Sequence, residues 1–184
     1  MKRMLDVVIA IVLLALLSPV LVAAAVAIAV ESGPPILFRQ VRLGLGGRGF
    51  TMFKLRSMVG NAAAAGPYHT AQDDHRITGV GRLLRRTSID ELPQLLNVLR
   101  GDMSLVGPRP DVPQQRVLYS QADWAVRCSV RPGITGLAQA LLRSDATPAE
   151  RLALDLRYAR EHDLGLDLRI FAWTLRRLSG KASN

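Results

Sequence analysis

Hydrophobic and polar positions divide the chain near Glu31. From Met4 to Val30 only Asp6, Ser18 and Pro19 interrupt an apolar run, which as one helix, at about 1.5 Å per residue, exceeds the roughly 30 Å of a bilayer core. Lys2 and Arg3 ahead of it resemble the charged start of a secretory signal, but the run is too long for one and Asp6 sits where such a signal is apolar. A plain spanning helix is the other simple reading. Against it, Pro19 removes an i→i−4 hydrogen bond in mid-run, and cations flank both ends: Lys2 and Arg3 before, Arg39, Arg42 and Arg48 after. A straight span would violate the positive-inside bias at one end. The expectation is a re-entrant helix over residues 1–31, bent at Ser18-Pro19, entering and leaving on the cytoplasmic face. Ser18 is expected to serve the backbone groups freed at the bend, and Asp6 to stay at the interface beside a cation.

Past Glu31 the pattern shortens. "PILFRQVRL" and "FTMFKLRSM" alternate apolar and polar residues and predict two strands. Between them "GLGGRG" matches a dinucleotide-binding fingerprint at Gly44, Gly46 and Gly49, but strand rather than helix follows it, so a hairpin loop is expected. "GNAAAAGPYHTAQDDHR" reads as loop or weak helix with Asp73 and Asp74 solvated. Leu92, Leu95, Leu96 and Leu99 then form one apolar stripe of a helix that Gly101 ends. Near the C-terminus Leu168, Phe171, Ala172, Leu175 and Leu178 share a helical face, with Arg169, Arg176 and Arg177 away from it; such a helix suits anionic lipid or the core equally. The fold class is therefore α+β and mostly helical: the membrane helix, then a domain over residues 32–184 with a β-hairpin and amphipathic interfacial helices.

Composition narrows the chemistry. The 184 residues suffice for one domain with a core. An excess of nine cations predicts an anionic partner, while 5% aromatics leave few stacking platforms and argue against nucleic acid. Cys128 is alone, and His69, His75 and His162 lack metal-ligand spacing. The acids of interest are Asp90 and Glu91. Ser88 and Glu91 have capping-box spacing, yet Pro93 fits better in the first turn of a helix starting at Asp90 or Glu91. An ionised acid at that positive helix end could be a cap, a metal ligand or a nucleophile. Arg82, Arg85 and Arg86 precede the pair, Lys54 and Arg56 come from the second strand, and Arg109 is held on the stiff "GPRP" segment. Arginine forks around carboxylates suit a phosphorylated ligand with a divalent metal, or else a merely basic membrane-facing surface.

The stretches "KRMLD" with the later "SP", "FRQVRLGLGGRGF", "FKLRSM", "LLRRTSIDELPQLLNVLRGDMSLVGPRP" and "VRPGITGLAQ" cover most of residues 2–139. They resemble the catalytic core of the bacterial monotopic phosphoglycosyl transferases, the bacterial sugar transferase family, in its short form. The resemblance implies a Mg²⁺-dependent enzyme of the bacterial inner membrane, on its cytoplasmic face, moving a phospho-sugar from a nucleotide-sugar donor, usually a UDP-sugar, to a polyprenol phosphate acceptor. It implies Asp90 as the nucleophile that carries a covalent phospho-sugar, Glu91 as the Mg²⁺ ligand, Arg85 as an active-site arginine and Arg109 as a nucleotide-positioning residue. Lys54 and Arg56 are further substrate-binding candidates. Lys2, Arg3, Ser18 and Pro19 belong to the membrane segment.

Many relatives carry tryptophan where Leu137 stands and Asn-Gly before a later arginine, where this chain reads "ALLR". That departure touches the sugar rather than the phosphoryl chemistry. Two other function classes fit parts of the pattern: a non-catalytic basic membrane module, which leaves the Asp-Glu-Leu-Pro and Gly-Pro-Arg-Pro motifs unexplained, and a nucleotide-sugar hydrolase.

Overall fold

The computed structural model describes residues 1–60, 74–142 and 146–178. Residues 61–73 of the expected loop or weak helix, with His69 and Asp73, and Arg143 of "ALLR" lie outside them; Asp74, expected to be solvated, instead accepts from the buried Arg76 at 2.6 Å.

Helix α1 runs from Lys2 to Ser32 without interruption by Pro19. The proline has no amide to offer the carbonyl of Ala15, and the Ser18 hydroxyl donates to that carbonyl at 2.8 Å. α1 is long and apolar enough to cross a membrane by length and composition. Its buried residues nevertheless lie toward the two ends: Asp6 and Ala10, then Ala24 and Ile28. Ala10 joins a core cluster with Met52, Leu95, Val98, Met103, Leu105, Val106, Leu137, Tyr158 and Ile170, while Ala24 and Ile28 join a second with Leu55 and Leu84. Between these arms Ala15, Leu16, Ser18, Pro19 and Val20 are exposed.

Polar residues fasten both ends. Lys2 Nζ donates to Asp167 at 2.5 Å and to the Val106 carbonyl at 3.3 Å. Arg3 donates to the carbonyls of Val98 and Leu99, a cation at a helix C-terminus. Asp6 is not paired with a cation at an interface as expected. It is buried and accepts from Ser104 Oγ at 2.8 Å and the Leu105 amide at 3.2 Å. At the far end, Glu31 accepts from the Val80 amide in the first turn of α2 (Gly79–Arg86).

The hairpin forms as expected, from β1 (Leu37–Leu43) and β2 (Gly49–Leu55), antiparallel with Phe38 opposite Lys54 and Arg42 opposite Phe50. The glycine stretch makes its turn, a 3₁₀ segment Leu45–Gly47 with Gly46 and Gly47 at positive φ. α3 (Gln94–Arg100) begins later than predicted, with Pro93 as its N-cap residue; Asp90 and Glu91 lie in a separate 3₁₀ turn, Ile89–Glu91. The inward face also differs. Leu96 is 40% exposed, whereas Asn97 is wholly buried: its amide donates to Thr51 O at 2.7 Å and its oxygen accepts from Phe53 N at 3.1 Å, pairing with the β2 backbone as another strand would.

Two short parallel strands follow, β3 (Ser104–Val106) and β4 (Gly133–Thr135), on either side of α4 (Gln121–Arg127). Gly133 in "RPGITG" is needed for close approach, since a Cβ there would sit 2.0 Å from the Gly107 amide nitrogen. α5 (Leu137–Leu141), α6 (Pro148–Glu161) and α7 (Leu164–Leu178) complete the fold. On α7 Asp167 and Ile170 face inward, while Leu168, Ala172 and Leu175 are exposed. The molecule is mostly helical with a small amount of sheet.

Candidate active site

The site is assembled where the hairpin, the 3₁₀ turn and the Gly-Pro-Arg-Pro segment converge. Ser88 makes no side-chain cap and sits in the left-handed region at φ 57°, so the capping box is not formed. The acids therefore owe their setting to neighbouring cations rather than to the first turn of α3. Glu91 Oε1 accepts from Lys54 Nζ at 2.6 Å and from Arg109 Nη2 at 3.2 Å. Burial alone would raise the Glu91 pKa, but Arg109 and Lys54 outweigh it and hold the carboxylate at about 2. Among the described residues no hydrogen bond engages Oε2.

Asp90 has the opposite fate. It is 5% exposed, and burial raises its pKa, the charge of Glu91 adding to that and the charges of Lys54, Arg85 and Arg109 opposing it. Among the described residues no hydrogen bond engages its carboxylate. Arg85 is half-buried at the end of α2 and donates to Ser57 Oγ at 2.9 Å. The Arg109 side chain is 50% exposed, open toward whatever binds.

Arg56 is not brought to the dyad. β2 ends at Leu55, so the alternation that would put Arg56 beside Lys54 stops one residue short. Its guanidinium is buried and donates to Ser32 O and Ser32 Oγ, each at 2.9 Å, and to Gly33 O, fastening the end of α1. Lys2 and Arg3 likewise bond to the domain.

The support behind Arg109 leaves little trace in the sequence. Arg127, buried at the end of α4, pairs with Asp111 and with Asp155 of α6, and donates to the Arg109 carbonyl at 2.6 Å. Burial lifts Asp155 to about 6 against the pull of Arg127. Only Asp111, next to "GPRP", carried any sequence signal. Arg42, read as a flanking cation, also lies here: its Nη1 donates to Pro110 O at 2.9 Å.

A cation has a fitting donor set. A single ionised carboxylate with one oxygen unengaged, and Asp90 beside it, suits Mg²⁺, which binds through one or two carboxylates and substrate phosphates rather than an all-protein cage. No cluster of three or more ligating side chains occurs among the described residues.

The chain is 49% identical to a UDP-glucose:undecaprenyl-phosphate glucose-1-phosphate transferase of Caulobacter vibrioides, over 95% of this chain and 68% of that protein. It is 43% identical to an undecaprenyl-phosphate glucose phosphotransferase of Komagataeibacter xylinus, over 96% of this chain and 35% of the relative. It is 40% identical to a UDP-N-acetylgalactosamine-undecaprenyl-phosphate N-acetylgalactosaminephosphotransferase of Aeromonas hydrophila, over 95% and 43%. The chain thus spans less than half the length of the latter two. With the bacterial sugar transferase family matched over residues 1–181, the chain belongs to that family.

Proposed function

We propose that the protein transfers a sugar phosphate from a UDP-sugar to undecaprenyl phosphate, an early membrane step of polysaccharide or other glycoconjugate assembly, through a covalent intermediate on Asp90. The observation that carries this reading is the asymmetry of the dyad: two cations occupy Glu91, while the buried carboxylate of Asp90 next to it has no hydrogen bond among the described residues. The relatives' names differ in the sugar, glucose or N-acetylgalactosamine, and share the phosphate acceptor. Cations gathered around the acids suit the shared phosphate part.

A carboxylate oxygen of Asp90 attacks the sugar-bearing phosphorus; the bond from that phosphorus to the oxygen of UMP breaks, and UMP leaves with the electron pair. A phosphate oxygen of undecaprenyl phosphate then attacks the same phosphorus, releasing the Asp90 carboxylate and giving undecaprenyl-diphosphate-sugar. Arg109 and Lys54 offset charge on the diphosphate, and Lys54, with Arg85 and Arg109 adding less, opposes the rise that burial imposes on the Asp90 pKa. Glu91 would hold Mg²⁺, whose chemistry is to neutralise phosphate charge.

The proposal includes placement at the cytoplasmic face of the bacterial inner membrane, with α1 re-entrant. Both arms of α1 pack on one domain, which supports both ends lying on one side of the bilayer. The exposed Leu168, Ala172 and Leu175 suit an α7 that rests on lipid.

The test is UMP release from a panel of UDP-sugars by protein in nanodiscs with undecaprenyl phosphate. The parent should release UMP and form lipid product, and with donor alone it should accumulate a labelled adduct. Asp90→Asn should do neither while keeping its thermal transition. Free sugar phosphate without lipid product would make it a hydrolase; no release from any donor would leave a binding module.

A further inference from the structure

Among the described residues Arg42, like Arg85, has hydrogen bonds to neutral acceptors alone. It lies on the same face of the hairpin as Lys54, because directly paired residues share a face and Phe38, Gln40 and Arg42 alternate along β1. Its Nε and Nη2 donate to Gln40 Oε1 at 3.0 and 2.6 Å, and its Nη1 to the Pro110 carbonyl. The next residue, Leu43, donates its amide to Asp111 O at 2.8 Å. The strand end is thus stapled to the segment that carries Arg109.

Apart from Arg85, whose hydrogen bond among the described residues goes to Ser57 Oγ, the comparable cations each have an acid. Lys54 and Arg109 share Glu91, and Arg127 holds Asp111 and Asp155. Arg42 is half-buried and, among the described residues, has no ion pair. Burial and the neighbouring charge of Arg109 pull its pKa down to about 10, although Asp111 and Glu91 pull the other way. Four cations, Arg42, Lys54, Arg85 and Arg109, therefore face two carboxylates, with Asp111 already committed to Arg127. A surplus of positive charge, half removed from water, is stabilised by an anion.

We infer that Arg42 is an anion-binding residue of this site, its guanidinium taking a phosphate oxygen of a bound substrate alongside Arg109. The inference rests on the transferase reading and adds a residue to it. The phosphate could belong to the UDP-sugar or to undecaprenyl phosphate, and kinetics separates the two.

Arg42→Gln keeps an N–H that can reach Pro110 O but removes the charge; Arg42→Lys keeps the charge. With the full chain in nanodiscs, UDP affinity by calorimetry and the KM for each substrate are measured beside kcat. Arg42→Gln should raise one KM about tenfold, the size of one lost charge-assisted hydrogen bond, with kcat changed less than threefold and the thermal midpoint kept. Arg42→Lys should recover most of that loss. A rise confined to the UDP-sugar, with weaker UDP binding, assigns the donor diphosphate; a rise confined to undecaprenyl phosphate assigns the acceptor. Both KM values within twofold of the parent overturn the inference, as does a folded Lys variant as impaired as the Gln variant, which would reduce Arg42 to a staple. If Arg42→Gln does not fold, Arg42→Met, which keeps the apolar stem and removes the charge, is judged by the same KM criteria. Failure of the parent itself to bind UDP or turn over any donor sinks the transferase reading; intact parent activity with unaffected variants sinks only the role of Arg42.

Discussion

Asp90 and Glu91 are adjacent in the chain and electrostatically opposed. Glu91 is held ionised far below the usual carboxylate range, while burial pushes Asp90 up. A nucleophilic Asp90 must be ionised, so activity should fall as pH drops through its raised pKa. Lys54 pulls that pKa down and Glu91 pushes it up. The acid limb of the kcat/KM profile should therefore move to higher pH in Lys54→Met and to lower pH in Glu91→Gln; limbs that stay put would show that Asp90 is not the titrating group. Glu91→Gln should also raise the Mg²⁺ concentration for half-maximal rate by about tenfold or more, since a neutral amide replaces a hard anionic donor. An unchanged Mg²⁺ requirement would take the ligand role from Glu91. Lys54, Arg85 and Arg109 were legible because each sits in a motif near the acids. Arg56 lies at the end of α1 instead, because alternation says which side of a strand a residue occupies but not where the strand stops. Arg127 and Asp155 were invisible, since the partners of a buried ion pair are set by folding and not by spacing.

At the scale of elements, alternation and the glycine cluster sufficed for the hairpin, and length and apolarity for α1. α3 was legible only as a helix. Its predicted stripe put Leu96 inside, whereas packing put Asn97 there, because an exposed β2 backbone edge needs hydrogen bonds more than the core needs another leucine. Asn97→Leu should leave the Thr51 carbonyl and the Phe53 amide unpaired, lowering stability by about 2–4 kcal/mol in chemical denaturation. The same change loosens the residue before Lys54, so KM for the UDP-sugar should rise as well. A neutral effect on stability would mean the edge finds water. β3 and β4, three residues each, are too short for any periodicity, and their pairing shows in sequence only as glycines at positions 107 and 133.

Taken whole, the molecule grips its apolar helix at both ends, and that predicts the topology. With Cys128 replaced by serine, a cysteine placed ahead of Met1 and another at Ser32 should react from the same face of a sealed membrane. Labelling from opposite faces would require one arm to leave the domain, exposing Ala10 or Ile28, each no more than 1% exposed here. The pairing of Lys2 with Asp167 also fixes an order of events. These residues stand 165 positions apart, so the start of α1 meets this partner only after α7 has been made. Until β3 and α7 have formed, Lys2 and Asp6 lack the partners that hold them in the folded chain. The grip on the start of the apolar helix is therefore a long-range closure, complete only once β3 and α7 are both in place.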